Sequence, residues 1–192
     1  MKILAAFAVA ALVAPAASAQ TVSQPANYEG DLTGFHGGPS ALPRAIHASE
    51  QNGARVMEIR FNNRTGSPGY DVVMERGAAI SFVRVGEPAA GVVTVASDTE
   101  PRWMLGWRGR KEARAVDRAK VDLAQAVRTA ERANHDAPAV AAGVASAVGA
   151  ATATVPAYNV LLLTGDGQTR RVAVDARTGL IIADPAALRG WP

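Results

Sequence analysis

A helix-period segment followed by three short alternating runs, with only a few turn-forming residues between them, constrains this chain more than any other feature. Ser40 stands at a capping position before Leu42, Ala45, Ile46 and Ser49, which share one helical face, and Gly53 supplies a stop. Met57, Ile59 and Phe61 then alternate with Val56, Glu58 and Arg60, the pattern of a strand with one buried face. Turn residues Asn62, Asn63, Gly66, Pro68 and Gly69 follow. Tyr70, Val72 and Met74 alternate with Asp71, Val73 and Glu75, Gly77 closes a tight turn, and Ile80 to Val85 makes a third strand. After Gly86 and Pro88, Val92 to Val95 adds a short fourth. Parallel neighbours would need a crossover of about a dozen residues or more, so joins this short dictate antiparallel pairing with the helix packed on one face.

The same order returns later in the chain. Between Ser97 and Ala115 the composition shifts to Trp103 and Trp107 among Arg102, Arg108, Arg110, Lys111 and Arg114, which reads as a connection. A helix over about Asp117 to Ala133 places Leu123, Val127 and Ala130 on one stripe, and Asp122 with Gln125 has capping spacing if the helix restarts there. From Ala137 to Ala153 the residues are nearly all alanine, valine and glycine, where periodicity does not separate strand from helix. Tyr158, Val160 and Leu162 mark a strand face ended by Gly165, Asp166 and Gly167. Arg170 to Val174 and Leu180 to Ile182 follow, with a turn at Asp175 to Gly179 between them. Leu42, Ala45, Ile46 and Glu50 fall on Leu123, Ala126, Val127 and Glu131 in the same relative spacing, and Tyr70 answers Tyr158 slightly out of phase. The expectation is an α+β fold of two helix-plus-antiparallel-sheet repeats, residues 39–96 and 116–184, joined by a connection over 97–115 and followed by a tail over 185–192.

The amino terminus carries a different signal. Lys2, an apolar run from Ile3 to Val13, Pro15, and the small residues Ala17, Ser18 and Ala19 follow the plan of a secretory signal peptide over residues 1–19, with cleavage between Ala19 and Gln20. The run is well short of the roughly 20 residues that span a bilayer. The expected product is periplasmic or secreted, with no transmembrane segment after cleavage, and begins with an exposed, flexible leader over residues 20–38. The chain has no cysteine, which excludes lipid attachment through a thiol, disulfides and thiolate zinc sites. An isoelectric point of about 9.7 suggests nucleic acid, but the net charge is only +3, acidic residues are interleaved with the basic ones, and aromatic residues are few; nucleic acid is not an expected partner.

In its second half the chain resembles the PepSY family. The residues that carry the likeness are the helix Val121, Asp122, Leu123, Ala124, Gln125, Ala126, Val127, then Tyr158, Asn159, Val160 opening a strand, then Val172, Ala173, Val174, Asp175, Ala176, Arg177, Thr178, Gly179, Leu180, similar to the family's strand ending in an aspartate and a threonine-glycine turn. The first half keeps the helix and Tyr70, Asp71, Val72, but Val83, Arg84, Val85, Gly86, Glu87 lacks both the aspartate and the threonine, and so reads as the divergent repeat. The resemblance implies an exported, non-catalytic binding or regulatory protein, with a protein partner such as an extracytoplasmic peptidase or another envelope protein. The peptidase that a propeptide of this family would precede is missing, so any inhibition would act on a separate chain.

Sites for chemistry are sparse. His36, His47 and His135 lack metal-ligand spacing, no serine sits in a glycine-flanked nucleophile turn, and there is no phosphate loop or dinucleotide fingerprint; no catalytic, metal or cofactor site is expected. Tyr70 and Tyr158 read as core aromatics, and Asp175 as a turn former bonding its own backbone. Trp103, Trp107, Arg108 and Arg110 are the candidate partner-binding residues, because tryptophan and arginine dominate binding hot spots. Two roles fit them: docking an acidic partner or anionic envelope surface, or simply covering the joint between repeats with the guanidinium groups in water. The alternative to a regulatory module is therefore a structural or accessory envelope protein held to anionic surface components.

Overall fold

The structure is a computed structural model that describes residues 30–64, 66–77, 79–86, 94–101, 114, 116–148, 154–182 and 188–189. Helix α1 (Ala41–Ser49) leads through a short 3-10 turn (Gln51–Gly53) into β1 (Arg55–Arg64), β2 (Ser67–Arg76), β3 (Ala79–Gly86) and β4 (Thr94–Pro101). Helix α2 (Leu123–Ala133) precedes β5 (Ala139–Val148), β6 (Thr154–Leu163), β7 (Thr169–Asp175) and the two-residue strands β8 (Ile181–Ile182) and β9 (Leu188–Arg189). All the strands belong to one antiparallel sheet in the order β4-β3-β2-β1-β5-β6-β7-β8, and β9 pairs with β5.

The two helix-plus-antiparallel-sheet repeats expected from the sequence are not what forms; there is one antiparallel sheet. Strand β1 is bonded directly to β5, with Glu58 opposite Gly143, Ile59 opposite Ala142 and Arg60 opposite Ala141, so the sheet runs without interruption through both halves. Helices α1 and α2 lie against one another on a single face; α1 packs on β1, β2 and β5, and α2 on β5, β6 and β7. The physical reason is burial. Leu42, Ala45 and Ile46 of α1 and Leu123, Ala126 and Val127 of α2 are all at or near zero exposure in one continuous core, a degree of enclosure that neither half supplies alone. Of the α+β expectation, helices on one face of antiparallel strands remain; the two-repeat architecture does not.

Register explains which side chains make that core. Residues opposite one another in antiparallel strands share a face. Val83, Val72, Ile59, Ala142, Val160 and Val172 form one registered row across six strands, and all six are buried beneath the helices. Phe61 and Tyr70, paired in the next row, stack edge to face at 5.6 Å, and Phe35 adds to the stack at 4.9 Å from Phe61.

Phe35 and Leu32 belong to the stretch expected as an exposed leader. Both are buried, and the chain is stitched to β1 by the Asn63 amide donating to the Asp31 carbonyl at 2.9 Å and the Asp31 amide donating to Asn62 Oδ1 at 3.1 Å. The correction reaches only residues 30–38, since residues 20–29 lie outside the described ones. Two further segments take definite form. The alanine-rich stretch after Ala137 is strand β5 up to Val148, and β4 continues through Pro101 into the region read as connection. Between β2 and β3 Gly77 holds a φ of 59°, a conformation that favours glycine and suits its two-strand turn.

Candidate functional site

The face of the sheet turned away from the helices carries the registered rows that alternate with the core rows. One runs Arg84, Asp71, Arg60, Ala141, Leu161, Arg171, and the next runs Phe82, Val73, Glu58, Gly143, Asn159, Ala173, Ile182. Within β1, β2 and β3 the first row is a fixed polar array. Arg84 pairs with Asp71 at 2.7 Å and also donates to the carbonyl oxygens of Asn62, at 2.8 Å, and Ser67; Asn62 Nδ2 donates to the second Asp71 oxygen at 3.0 Å. Arg60 pairs with Glu58 at 3.0 Å. Two guanidinium groups and two carboxylates thus balance on one patch. Arg84 and Asp71 are held across strands and Arg60 and Glu58 within β1, on the same face as Phe82, which is 41% exposed.

Toward β5, β6 and β7 the same face changes character. Ala141, Gly143, Ala157 and Ala173 present little or no side chain around Asn159, and a Cβ placed on Gly143 would lie 3.3 Å from Glu58 Cγ, so the backbone there is closely overlain by its neighbour. Asn159 is 1% exposed, and neither its Oδ1 nor its Nδ2 has a hydrogen-bond partner among the described residues. A buried primary amide offers two donors and two acceptor lone pairs, and leaving them unmet costs roughly 1–3 kcal/mol. The exposed part of the face, on β1 to β3, therefore combines an apolar anchor with a preorganised array of charges, the ingredients of a binding surface, whereas the Asn159 amide is enclosed.

On the helix side the ionisable groups hold elements together. Glu131 is 2% exposed and its carboxylate accepts from the Ser40 amide at 3.1 Å and the Ala139 amide at 3.0 Å, tying α2 to the start of α1 and of β5. Burial pushes its carboxyl above the usual range, against the lowering effect of those two amides. Glu50 accepts from the Val56 amide at 3.1 Å and is raised by burial in the same way. Ser40, expected to cap α1 with its hydroxyl, does not: it sits at φ 67° with no side-chain capping bond, and Glu131 meets its amide instead. Asp122 does cap α2, accepting from the Gln125 amide at 2.6 Å.

The residues singled out in the sequence are dispersed. Ala19 and Gln20, at the expected cleavage point, and Trp103, Trp107, Arg108 and Arg110 lie outside the described residues. His36, His47 and His135 are all exposed, and His47 Nε2 meets Arg128 at 3.1 Å. Among the described residues no group of three histidine or acidic side chains is placed to hold a metal ion. Tyr70 and Tyr158 are buried; the Tyr158 hydroxyl donates to the Val121 carbonyl at 2.8 Å. Asp175 accepts from the Arg177 and Thr178 amides, forming the turn that Gly179 completes at φ 75°. Asn159, Arg60, Asp71 and Arg84 were not distinguishable in the sequence from ordinary outward strand residues, because which residues stand opposite them depends on the register of each strand pair, including the shift between Val56 and Glu58 in β1–β2, and local alternation does not fix register.

No family model matches the chain, and no curated protein matches it. A crystal structure of a candidate lipoprotein from Clostridium difficile 630 aligns over 75% of this chain and 90% of its own, with 15% sequence identity and a TM-score of 0.40. A likeness at that level assigns neither fold nor function. Among the described residues no helix is long and apolar enough to cross a membrane.

Proposed function

We propose that this chain is an exported, non-catalytic binding protein of the PepSY type, and that it takes a protein partner on the face of its sheet turned away from α1 and α2. The observation that carries this reading is the patch of β1, β2 and β3, where exposed Phe82 stands beside the ion-paired Arg60, Glu58, Asp71 and Arg84. Aromatic and arginine side chains held in place before contact lose little freedom on docking, which favours binding without chemistry. Export rests on the Lys2 to Ala19 signal pattern. The PepSY resemblance supplies the class of partner, an extracytoplasmic peptidase or another envelope protein. Both carboxylates of the patch are engaged by arginines, which suits recognition better than proton transfer.

The test is capture from an envelope extract at moderate salt, comparing the native chain with Phe82→Asp and checking both by circular dichroism. One protein retained by the native chain and lost by the folded variant supports the reading, and a peptidase among the retained proteins narrows it to inhibition or modulation. Equal retention by both chains removes the sheet face from consideration.

A further inference from the structure

Away from that face, the loop after α2 and the β6–β7 hairpin enclose a cleft of 570 Å³ lined by Ala133 to Pro138, Leu163 to Gly165 and Arg170. The Leu163 amide donates to the Pro138 carbonyl at 2.8 Å, fixing the two walls relative to each other. The volume falls in the range of small-molecule sites, roughly 300–1,000 Å³.

The walls differ in sign. On one side α2 ends. The Ala130 carbonyl is taken by Asn134 Nδ2, and the Glu131 carbonyl by the Asn134 and Asp136 amides; the Arg132 and Ala133 carbonyls receive no backbone donor from the described residues. A helix carboxyl end is partially negative, and the Asp136 carboxylate adds a full charge beside it. On the other side stands Arg170, which brings a positive charge, with the Thr164 hydroxyl turned into its own hairpin toward Asp166 and the Gln168 carbonyl. Asp136 and Arg170 are exposed, and neither forms an ion pair with a described residue.

His135 and Asp136 both hold a φ of 57°, the left-handed region that glycine occupies at least cost. The Asn134 and Asp136 amides closing on the Glu131 carbonyl account for the turn, and its two left-handed residues both line the cleft.

We propose that this cleft binds a small zwitterion, an amino acid or the unblocked end of a short peptide. The ammonium group is received by Asp136 and the carbonyl end of α2, the carboxylate by Arg170, and His135 flanks the site with a ring that can donate or accept. The proposal stands independently of the sheet-face reading, because it uses a different face and different residues.

The test uses the full-length, nitrogen-15-labelled chain titrated with glycine and with glycylglycine, alongside two blocked analogues: acetylglycylglycine, which has no ammonium, and glycylglycine amide, which has no carboxylate. The expected result is saturable shifts at the His135, Asp136, Thr164 and Gly165 amides with glycine or glycylglycine. Each blocked analogue should bind about tenfold more weakly or worse, the effect of losing one charged hydrogen bond. Tighter binding of glycine points to free amino acids, and tighter binding of glycylglycine to peptide ends. Asp136→Asn, which tolerates the same backbone region, and Arg170→Gln should each weaken the unblocked ligands to the level of the matching blocked analogue. Absence of saturable shifts, or blocked analogues binding as well as unblocked ones, overturns the proposal. The analogue comparison needs only the native chain, so it decides even if a variant folds poorly.

Discussion

Burial pushes the Tyr158 hydroxyl up to about 12, which keeps it protonated and donating to the Val121 carbonyl just ahead of α2. The alternation around Tyr158 marks it as a core aromatic, but the acceptor lies 37 residues away in sequence and no local pattern announces it. Tyr158→Phe keeps the ring and its packing while orphaning that carbonyl, and is expected to lower unfolding stability by about 1 kcal/mol in a denaturant titration with unchanged slope. A loss close to zero would mean that the carbonyl finds another donor. Asn159, the next residue, points to the other face, and its isolation likewise follows from the smallness of Gly143 and Ala173 opposite it rather than from its own sequence neighbours.

Among elements, the two helices end in the same way. Glu50 at the end of α1 and Glu131 near the end of α2 each accept an amide from near the start of the strand that follows, Val56 and Ala139. The matched spacing of these two glutamates is visible in the sequence; that Glu131 also reaches the Ser40 amide of the other helix is not, because it depends on α1 and α2 lying side by side. Enclosure holds the folded Glu131 carboxyl above its ordinary value of 4.5, so the native state binds that proton more tightly than the unfolded chain does. Its contribution to stability is therefore fully present below 4.5 and is lost as pH rises through the folded pKa. Glu131→Gln is expected to flatten the dependence of stability on pH between 4.5 and neutrality, measured by urea titration across that window. An unchanged slope would exclude Glu131 as a source of the dependence.

Across the whole molecule, one sheet and one core predict one unfolding event. Ile59 lies in the central registered row, against Val72 on one side and Ala142 on the other, at zero exposure. Ile59→Ala should cost about 2–5 kcal/mol, and far-ultraviolet circular dichroism and tyrosine emission should still trace a single coincident transition, because the cavity weakens both halves together. Two separated transitions would show that the halves melt independently across the β1–β5 seam. The alanine-rich β5 and the extent of β4 were not legible in the sequence, which by itself determined β1 to β3 as antiparallel neighbours, the strands β6 and β7, both helices, the Asp122 cap, and the turns at Gly77 and Asp175 to Gly179. Each of these rests on contacts between residues close along the chain, where periodicity and backbone preference are written directly. Only the tertiary structure decided that β1 joins β5, that both helices share one face, and that Leu32 and Phe35 are buried. Those outcomes follow from enclosing apolar surface that neither half could cover alone, and a long-range balance of that kind leaves no local mark.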